Sequence, residues 1–145
     1  SDVYKRQVQY SSIQNAYTNY EKQIAPARTF CLLSEVTELA KQGLIKGGNV
    51  GNAVIIVDKD IDGDEVKFFM EKFGIKFYQG SRGLYKSQHL RFKNEPVRHK
   101  TLDLIGDLAL LGKPIKGHVT AIKSGHKGNV EFARILRKEF KDQFK

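Results

Sequence analysis

The sequence predicts an α+β fold: a two-layer sandwich with helices packed on one face of a mixed β-sheet, and with a small β-α-β insert. Two observations support this class. The AVIIV run at Ala53–Val57 is continuous, apolar and mostly β-branched, which is typical of a buried strand. Segments with the apolar spacing of helices, such as 97–111, are joined to such strand-like runs by short connections.

Five segments have the spacing and the end signals of helices. We expect Thr18 to cap the first, which ends before Pro26 because the residue preceding a proline avoids the helical conformation. Ser34 is expected to cap the second, and Gly43 to stop it. Pro96 suits the first turn of the fourth. The predicted helices are 19–24, 34–42, 65–73, 97–111 and 127–140.

Strands are predicted where short apolar or alternating runs lie between turn residues. Residues 27–33 are a mostly apolar stretch, and 45–50 and 79–88 are predicted loops. The acidic turn 58–64 begins like a calcium-binding loop, but its twelfth position is Phe69 instead of glutamate, so a structural turn is the better interpretation. The predicted strands are 8–13, 53–57, 75–78, 89–92 and 117–122.

The length, charge and cysteine content limit the classes of protein to which the chain can belong. The 145 residues suit one domain, and 25 Lys and Arg against 16 Asp and Glu give a net charge of +9, which favours polyanionic partners. The single cysteine, Cys31, excludes an internal disulfide and a multi-cysteine zinc site, so we expect a cytoplasmic protein. No apolar run approaches the roughly 20 residues that span a bilayer, so no transmembrane segment is expected.

The predicted helix 97–111 carries a file of polar residues. His99, Asp103 and Asp107 are spaced four apart and therefore share one face of the helix. A histidine and a carboxylate one turn apart can bind one metal ion, a spacing that helical zinc sites use. The same spacing also permits a simple hydrogen bond between His99 and Asp103, and the sequence leaves both interpretations open.

A second histidine lies where a helix is expected to begin. His126 follows Lys123, Ser124 and Gly125, at the positive end of the predicted helix 127–140. A protonated histidine at such a place can stabilise an oxyanion or protonate a leaving amine. The alternative is a histidine in an exposed loop.

Six motifs occur in one order and resemble the C-terminal half of the zinc-dependent UDP-3-O-acyl-N-acetylglucosamine deacetylase family of lipid A synthesis. The resemblance implies a deacetylase domain over 8–140, with 1–7 as a leader and 141–145 as a tail or linker. Segment 58–77 is similar to the Bacteroidetes version, which is often fused to a downstream dehydratase. The motifs are ARTF (27–30), GLIKGG (43–48), LRFKNE (90–95), VRHK with LD (97–103), IGDL (105–108) and KSGH (123–126).

The resemblance implies a role for individual residues. His99 and Asp103 would be zinc ligands, and Asp107 would orient the catalytic His126. Thr29 would contact the reacting amide oxygen. The residues implied to bind the substrate are Lys100 at its charged or sugar portion, Phe30 at the substrate site, Glu35 where many relatives have aspartate, and Leu32, Leu33, Val36, Val50, Ala53 and Ile55 around the acyl chain.

The resemblance also implies that part of the site is elsewhere. The family's N-terminal half supplies a third zinc ligand and a glutamate general base, so this chain should bind Zn²⁺ weakly and be inactive without that half. The expected partners are the UDP-linked substrate, the N-terminal half and a possible dehydratase domain, with no nucleic acid. Two alternatives remain: a non-enzymatic basic domain that binds polyanions or nucleic acid, and a structural domain whose polar file is merely a hydrogen-bonded helix face. A large distance of His126 from His99 and Asp103 would support the second.

Overall fold

The computed structural model describes residues 9, 11–13, 20–43, 51–77, 82–85 and 89–144. The chain divides into two compact units. The first unit is made from Ser1–Tyr10 and Arg28–Pro96, and the second from Ser11–Ala27 and Val97–Lys145. Within the described residues, no helix has the length and apolar character that crossing a membrane requires.

The first unit contains a three-stranded mixed sheet in the order β1-β2-β3. Strand β1 (Thr29–Leu32) runs parallel to β2 (Ala53–Val57), with Thr29 opposite Ala53, and β3 (Gly83–Leu84) pairs antiparallel with β2. The prediction of a buried strand at 53–57 is confirmed. Strand β1 lies in the stretch 27–33, for which no secondary structure was predicted. Strand β3 lies inside segment 79–88, so the prediction of a loop there is wrong at Gly83 and Leu84.

Helix α1 (Leu33–Lys41) connects the two parallel strands, so β1, α1 and β2 form a β-α-β unit. The expectation that Ser34 caps this helix is wrong. Ser34 lies inside the first turn, where its backbone N–H and its hydroxyl donate to the two oxygens of Asp58 at 3.0 and 2.7 Å. Gly43 follows the helix with φ +70°, a conformation that glycine adopts without strain, and this stop signal is confirmed.

Helix α2 (Gly63–Phe73) begins two residues before the prediction, because Asp62 is its cap and accepts from the backbone N–H of Glu65 at 2.8 Å. The helix ends at Gly74, whose φ is +68°. Three of the four aspartates of the acidic turn 58–64 therefore have a structural partner: Asp58 binds Ser34, Asp60 pairs with Arg82, and Asp62 caps α2.

The core of the first unit contains buried side chains from the sheet, from these two helices and from the segments that follow α2. Phe69 is completely buried, and its ring meets Phe77 edge-on with a centroid distance of 5.3 Å. The Tyr85 ring lies 5.1 Å from Phe77, and its hydroxyl donates to the carbonyl of Lys76 at 3.0 Å. The buried cluster comprises Leu33, Ile55, Val57, Ile61, Phe69, Ile75, Phe77 and Tyr85.

Two long helices dominate the second unit. Helix α3 (Glu95–Ala109) starts in the first unit and continues into the second, and α4 is His126–Glu139. A π-helical turn, Tyr20–Ile24, and a 3₁₀ turn, Lys141–Phe144, are shorter. The predictions 19–24, 97–111 and 127–140 agree with these elements to within two residues at each end, and the Thr18 cap lies outside the described residues.

Several predicted strands are wrong where the structure describes them. Residues 75–77, 89–92 and 117–122, and residues 9 and 11–13 of the segment 8–13, are not in strands. A strand requires a neighbour that accepts and donates its backbone hydrogen bonds, and in the described part of the chain only β1, β2 and β3 have one. The α+β class is confirmed by helices together with a mixed sheet, while the two-layer packing stays a prediction.

The second unit exposes an apolar surface. Among its large apolar side chains, Ile122 is 84% exposed, and it lies in the segment that was expected to be a strand. The exposed residues are Leu110, Ile115, Val119, Ile122, Phe132, Ile135 and Phe140.

Candidate active site

Helix α3 places the predicted polar file on one face of the second unit. His99 Nε2 lies 3.4 Å from Asp103 Oδ1, and Asp107 follows one turn later. The three side chains are only partly exposed, at 17% for His99, 11% for Asp103 and 14% for Asp107. The spacing of four therefore produces the contact that it predicts.

The ring of His99 is oriented by the backbone. Its Nδ1 lies 3.0 Å from the carbonyl oxygen of the buried Ala27. A carbonyl oxygen only accepts, so Nδ1 must carry the hydrogen, and Nε2 then carries the lone pair. Metal-binding histidines are held in this way by a hydrogen bond from their other nitrogen. His99 thus presents a ligand nitrogen next to Asp103.

The two oxygens of Asp103 have different neighbours. Oδ2 accepts from Lys100 Nζ at 3.2 Å, which fixes the carboxylate on the helix surface. Oδ1 faces His99 Nε2 and also lies 3.9 Å from His126 Nε2. Asp103 therefore lies between the two imidazoles, and the large separation of His126 from this group that would support a purely structural domain is not observed.

His99 and Asp103 fit two positions of a zinc site. Ligands about 2.0 Å from a tetrahedral zinc ion are about 3.3 Å from one another, and the observed separation of His99 Nε2 and Asp103 Oδ1 is 3.4 Å. In the part of the chain that the structure describes, no group of three or more His, Cys, Asp or Glu side chains is arranged to hold a metal ion. The donors present thus fit part of a zinc site, and further ligands are needed to complete it.

Asp107 and His126 form the second part of the site. His126 is the first residue of α4, and its Nδ1 lies 3.1 and 3.0 Å from the two oxygens of Asp107. Burial raises the pKa of Asp107. Hydrogen bonds from Asn129 and His126, together with the charges of His126 and Lys100, lower it by more, so the pKa lies below its ordinary value. Asp107 is therefore ionised near neutral pH and accepts the hydrogen on Nδ1.

This pairing decides what His126 can do chemically. With Nδ1 engaged by Asp107, the other nitrogen, Nε2, is the one that can carry or release a proton at the site. The side chain is 68% exposed, so a substrate has access to it. The arrangement suits a general acid or a cation that stabilises negative charge.

One residue of this group was missed by the sequence analysis. Asn129 lies three residues after His126, is 4% exposed, and donates from Nδ2 to Asp107 Oδ2 at 2.9 Å. The spacing of three on a predicted helix was the available signal, since it puts Asn129 on the same face as His126.

A buried ion pair in the first unit was also missed. Glu95, at the start of α3, is fully buried and accepts from the backbone N–H and the guanidinium of Arg28, and from the backbone N–H of Arg91. The guanidinium of Arg28 also donates to the carbonyl of His89 at 2.7 Å. This network fixes the position of Arg28, which directly precedes Thr29 in the chain.

The residues expected to bind substrate in the first unit lie on the β-α-β unit. Thr29 is exposed and Phe30 half-buried on β1, and Glu35 accepts from the backbone N–H of Leu32 at 3.4 Å. Among the residues expected to line the acyl passage, Leu33 and Ile55 belong to the buried cluster, Val36 packs against it, Leu32 and Ala53 are half-buried, and Val50 lies outside the described residues.

Comparison with known proteins places these motifs in a family. The family model "UDP-3-O-acyl N-acetylglycosamine deacetylase" (LpxC) matches residues 2–73 and 78–138. The chain is similar to the bifunctional enzyme LpxC/FabZ of Chlorobaculum tepidum, with 45% identity over 90% of this chain and 28% of the relative. It is also similar to the bifunctional enzyme LpxC/FabZ of Porphyromonas gingivalis, with 40% identity over 92% of this chain and 29% of the relative.

A third relative carries a single activity in its name. The UDP-3-O-acyl-N-acetylglucosamine deacetylase of Chlamydia trachomatis is 43% identical over 88% of this chain and 37% of the relative. The chain thus spans about three to four tenths of the length of the curated relatives that it matches. Since the family model covers most of the chain, this protein belongs to the UDP-3-O-acyl-N-acetylglucosamine deacetylase family.

Proposed function

We propose that this chain is part of a zinc-dependent, cytoplasmic deacetylase. The enzyme hydrolyses the N-acetyl group of a UDP-3-O-(3-hydroxyacyl)-N-acetylglucosamine in lipid A synthesis. Family membership supports the reaction class, and the convergence of His99, Asp103, Asp107 and His126 in one unit is the observation that carries the proposal. The single cysteine supports a reducing compartment.

His126 and Asp107 would serve the chemical step. Asp107 holds the Nδ1 hydrogen, which orients the ring and leaves Nε2 as the nitrogen that can act on the substrate. A protonated Nε2 would stabilise the oxyanion that forms when water adds to the acetamide carbonyl. The same nitrogen would then give its proton to the glucosamine nitrogen as the carbon–nitrogen bond breaks.

His99 and Asp103 would hold the metal. The Nε2 of His99 and the Oδ1 of Asp103 are the donor atoms, for the reasons of tautomer and distance given above. When bound, zinc supplies Lewis-acid polarisation of the carbonyl and lowers the pKa of a water molecule to about 7. Lys100 keeps the second oxygen of Asp103 engaged, and its charge also suits the diphosphate of the substrate.

The remaining substrate contacts are proposed from the family resemblance. Thr29 and Phe30 would approach the reacting amide, and Glu35 would contact the substrate. The acyl chain would lie along Leu32, Leu33, Val36, Val50, Ala53 and Ile55. Within the described residues, the accessible members of this set are the half-buried Leu32, Val36 and Ala53, whereas Leu33 and Ile55 are buried in the core of the first unit.

A further segment of the same enzyme would complete the site. The relatives extend well beyond the matched region, and the exposed apolar residues of the second unit provide a surface for a missing N-terminal half. That half would supply the remaining zinc ligand and the general base. We therefore propose that the isolated chain binds zinc weakly and is inactive. The bifunctional names LpxC/FabZ of two relatives are consistent with the dehydratase domain that the resemblance gives as a candidate partner.

A chimera tests the proposal. The segment of the Chlorobaculum tepidum relative that precedes the matched region is joined to this chain, the protein is loaded with zinc, and acetate release from the UDP-linked substrate is measured. We expect activity that falls by about a hundredfold or more in His126→Ala, the range for a general acid. His99→Ala should also lose metal, measured as bound zinc per protein.

His118→Ala is the matched control, since His118 is an exposed histidine of the second unit outside the polar cluster. It should keep both activity and zinc. An inactive chimera that is folded and contains zinc would refute the proposed reaction. Equal activity of His126→Ala and His118→Ala would refute the assigned role of His126.

One observation favours the alternative of polyanion binding. Four basic side chains of the second unit line a surface depression along the end of α4: Arg134, Arg137, Lys138 and Lys141. A nucleic-acid function predicts binding to this chain that weakens steeply as salt rises. Binding that is absent at moderate salt would exclude this alternative, and the deacetylase predicts that result.

A further inference from the structure

Asn129 lies in the first turn of α4 and does not belong to the residues given a catalytic role above. Its side chain is almost completely buried, with the residue 4% exposed. A buried amide needs a hydrogen-bond partner, because burial without one costs free energy. Asn129 has that partner in Asp107, at 2.9 Å.

The chemistry of the partner fixes how the amide points. An ionised carboxylate only accepts, so the NH₂ group of Asn129 must face Asp107. Asn129 Nδ2 donates to Oδ2, one of the two Asp107 oxygens that His126 Nδ1 approaches. The first turn of α4 thus presents two donors, His126 and Asn129, to one carboxylate from α3.

The two donors differ in how firmly they are held. His126 is the first residue of the helix and its side chain is 68% exposed, whereas Asn129 is buried within the helix and its backbone N–H donates to the carbonyl of Gly125 at 3.0 Å. The buried amide of Asn129 therefore fixes the orientation of the Asp107 carboxylate, and the carboxylate in turn positions the exposed imidazole of His126. The hydrogen bond from Asn129 is also the largest of the effects that lower the pKa of Asp107 against the effect of burial.

We propose that Asn129 is a positioning residue of the deacetylase site: its amide holds the Asp107 carboxylate in the orientation that accepts the Nδ1 hydrogen of His126. This inference rests on the proposed function. Without the amide, the carboxylate rotates about its side-chain bonds, and His126 loses the partner that selects its tautomer and aims Nε2. The loss affects the chemical step and leaves substrate binding unchanged.

The test compares three variants in the zinc-loaded chimera. Asn129→Leu keeps the branching at Cγ but removes the hydrogen bond, and Asn129→Asp keeps the shape but replaces the donor by an acceptor. Val130→Ala is the control, a truncation at the neighbouring half-buried position of α4. We expect kcat to fall about 10- to 100-fold in both Asn129 variants, as for other residues that orient a functional side chain, with KM within twofold and Val130→Ala unchanged.

A second measurement does not depend on activity. Two-bond ¹H–¹⁵N correlations at alkaline pH report which nitrogen of the neutral His126 ring carries the hydrogen. Wild type should have it on Nδ1, and both Asn129 variants should show an increased population with it on Nε2. A packing role alone would leave the tautomer unchanged.

The outcomes separate the two proposals. If wild-type chimera is inactive, the proposed function fails, and the tautomer measurement still decides the role of Asn129. If Asn129→Leu is destabilised, Asn129→Asp, which is nearly isosteric, gives the answer. An unchanged tautomer in a folded variant, whatever its kcat, overturns the positioning role.

Discussion

Replacement of Glu95 by alanine tests the buried ion pair at the start of α3. Glu95 has no exposed surface, and the Arg28 side chain is 8% exposed. Glu95 accepts from two backbone N–H groups, those of Arg28 and Arg91, and from Nε and Nη2 of the Arg28 guanidinium. The alanine variant leaves all of these donors without the carboxylate.

The cost follows from what remains buried. Removing one partner of a buried ion pair costs about 3–5 kcal/mol, because the other charge keeps its burial without compensation. With a urea dependence of about 2 kcal/mol per molar, the unfolding midpoint should fall by about 2 M. Arg28→Met combined with Glu95→Met should be more stable than Glu95→Ala alone, since the double variant has no unpaired charge.

Asp60→Asn is the matched control. Asp60 also forms a two-pronged pair with an arginine, Arg82, at 3.0 and 2.7 Å, but Asp60 is 75% and Arg82 50% exposed. Solvent screens such a pair, so the urea midpoint should not change measurably. Equal midpoints for Glu95→Ala and Asp60→Asn would refute the argument from burial.

The buried pair of Arg28 and Glu95 makes the free energy of unfolding depend on pH. Burial raises the pKa of Glu95, but hydrogen bonds from Arg28 and Arg91, with the charge of Arg28, outweigh it and lower the pKa below its ordinary value of 4.5. Between the folded and unfolded pKa values the unfolded state binds more protons, so stability increases with pH there. The contribution is therefore complete above the unfolded pKa and is lost as pH falls through the folded pKa. Glu95→Gln should weaken this dependence in urea titrations at pH 3–6.

Three further predictions concern the first unit. Phe69→Ala should cost about 3–5 kcal/mol in urea unfolding, because the ring is completely buried between aromatic neighbours, whereas Lys67→Ala on the exposed side of α2 should cost little; equal costs would contradict the described core. Asp62→Ala should cost about 1 kcal/mol through loss of the α2 cap, and Asp62→Asn, which also caps, should retain most of it. Burial and the nearby Glu35 raise the pKa of the Cys31 thiol to about 11, so alkylation by iodoacetamide at pH 8 should be about a hundredfold slower than for free cysteine, and an equal rate would show that the thiol is accessible.

The sequence predicted the elements whose stability is local. The β-branched run at Ala53–Val57 forms its strand, and the helices end where Gly43 and Gly74 allow a left-handed turn. The contact of His99 with Asp103 follows from spacing within one helix, so it too was predictable. The family motifs added the roles of these side chains, which stay predictions.

The remaining features depend on partners distant in the chain. Residues 117–122 have the apolar pattern of a strand, but a strand forms only where another strand completes its hydrogen bonds. The cap of α1 comes from Asp58, 24 residues after Ser34, and the donor to Asp107 comes from Asn129, 22 residues away. Sequence spacing carries no information about such pairs, and for this reason the expected Ser34 cap was wrong. Spacing indicated that Asn129 shares a helix face with His126, but not that Asp107 lies opposite that face.

The Asp58 contact has a consequence for how the β-α-β unit folds. Helix α1 receives its side-chain acceptor at Ser34 from the residue that follows β2, so the start of the helix is complete only after β2 has joined β1. Helix and strand should therefore open as one cooperative segment. Amide hydrogen exchange would report this directly, with the Ser34 amide exchanging at the rate of the β2 amides and faster in Asp58→Ala.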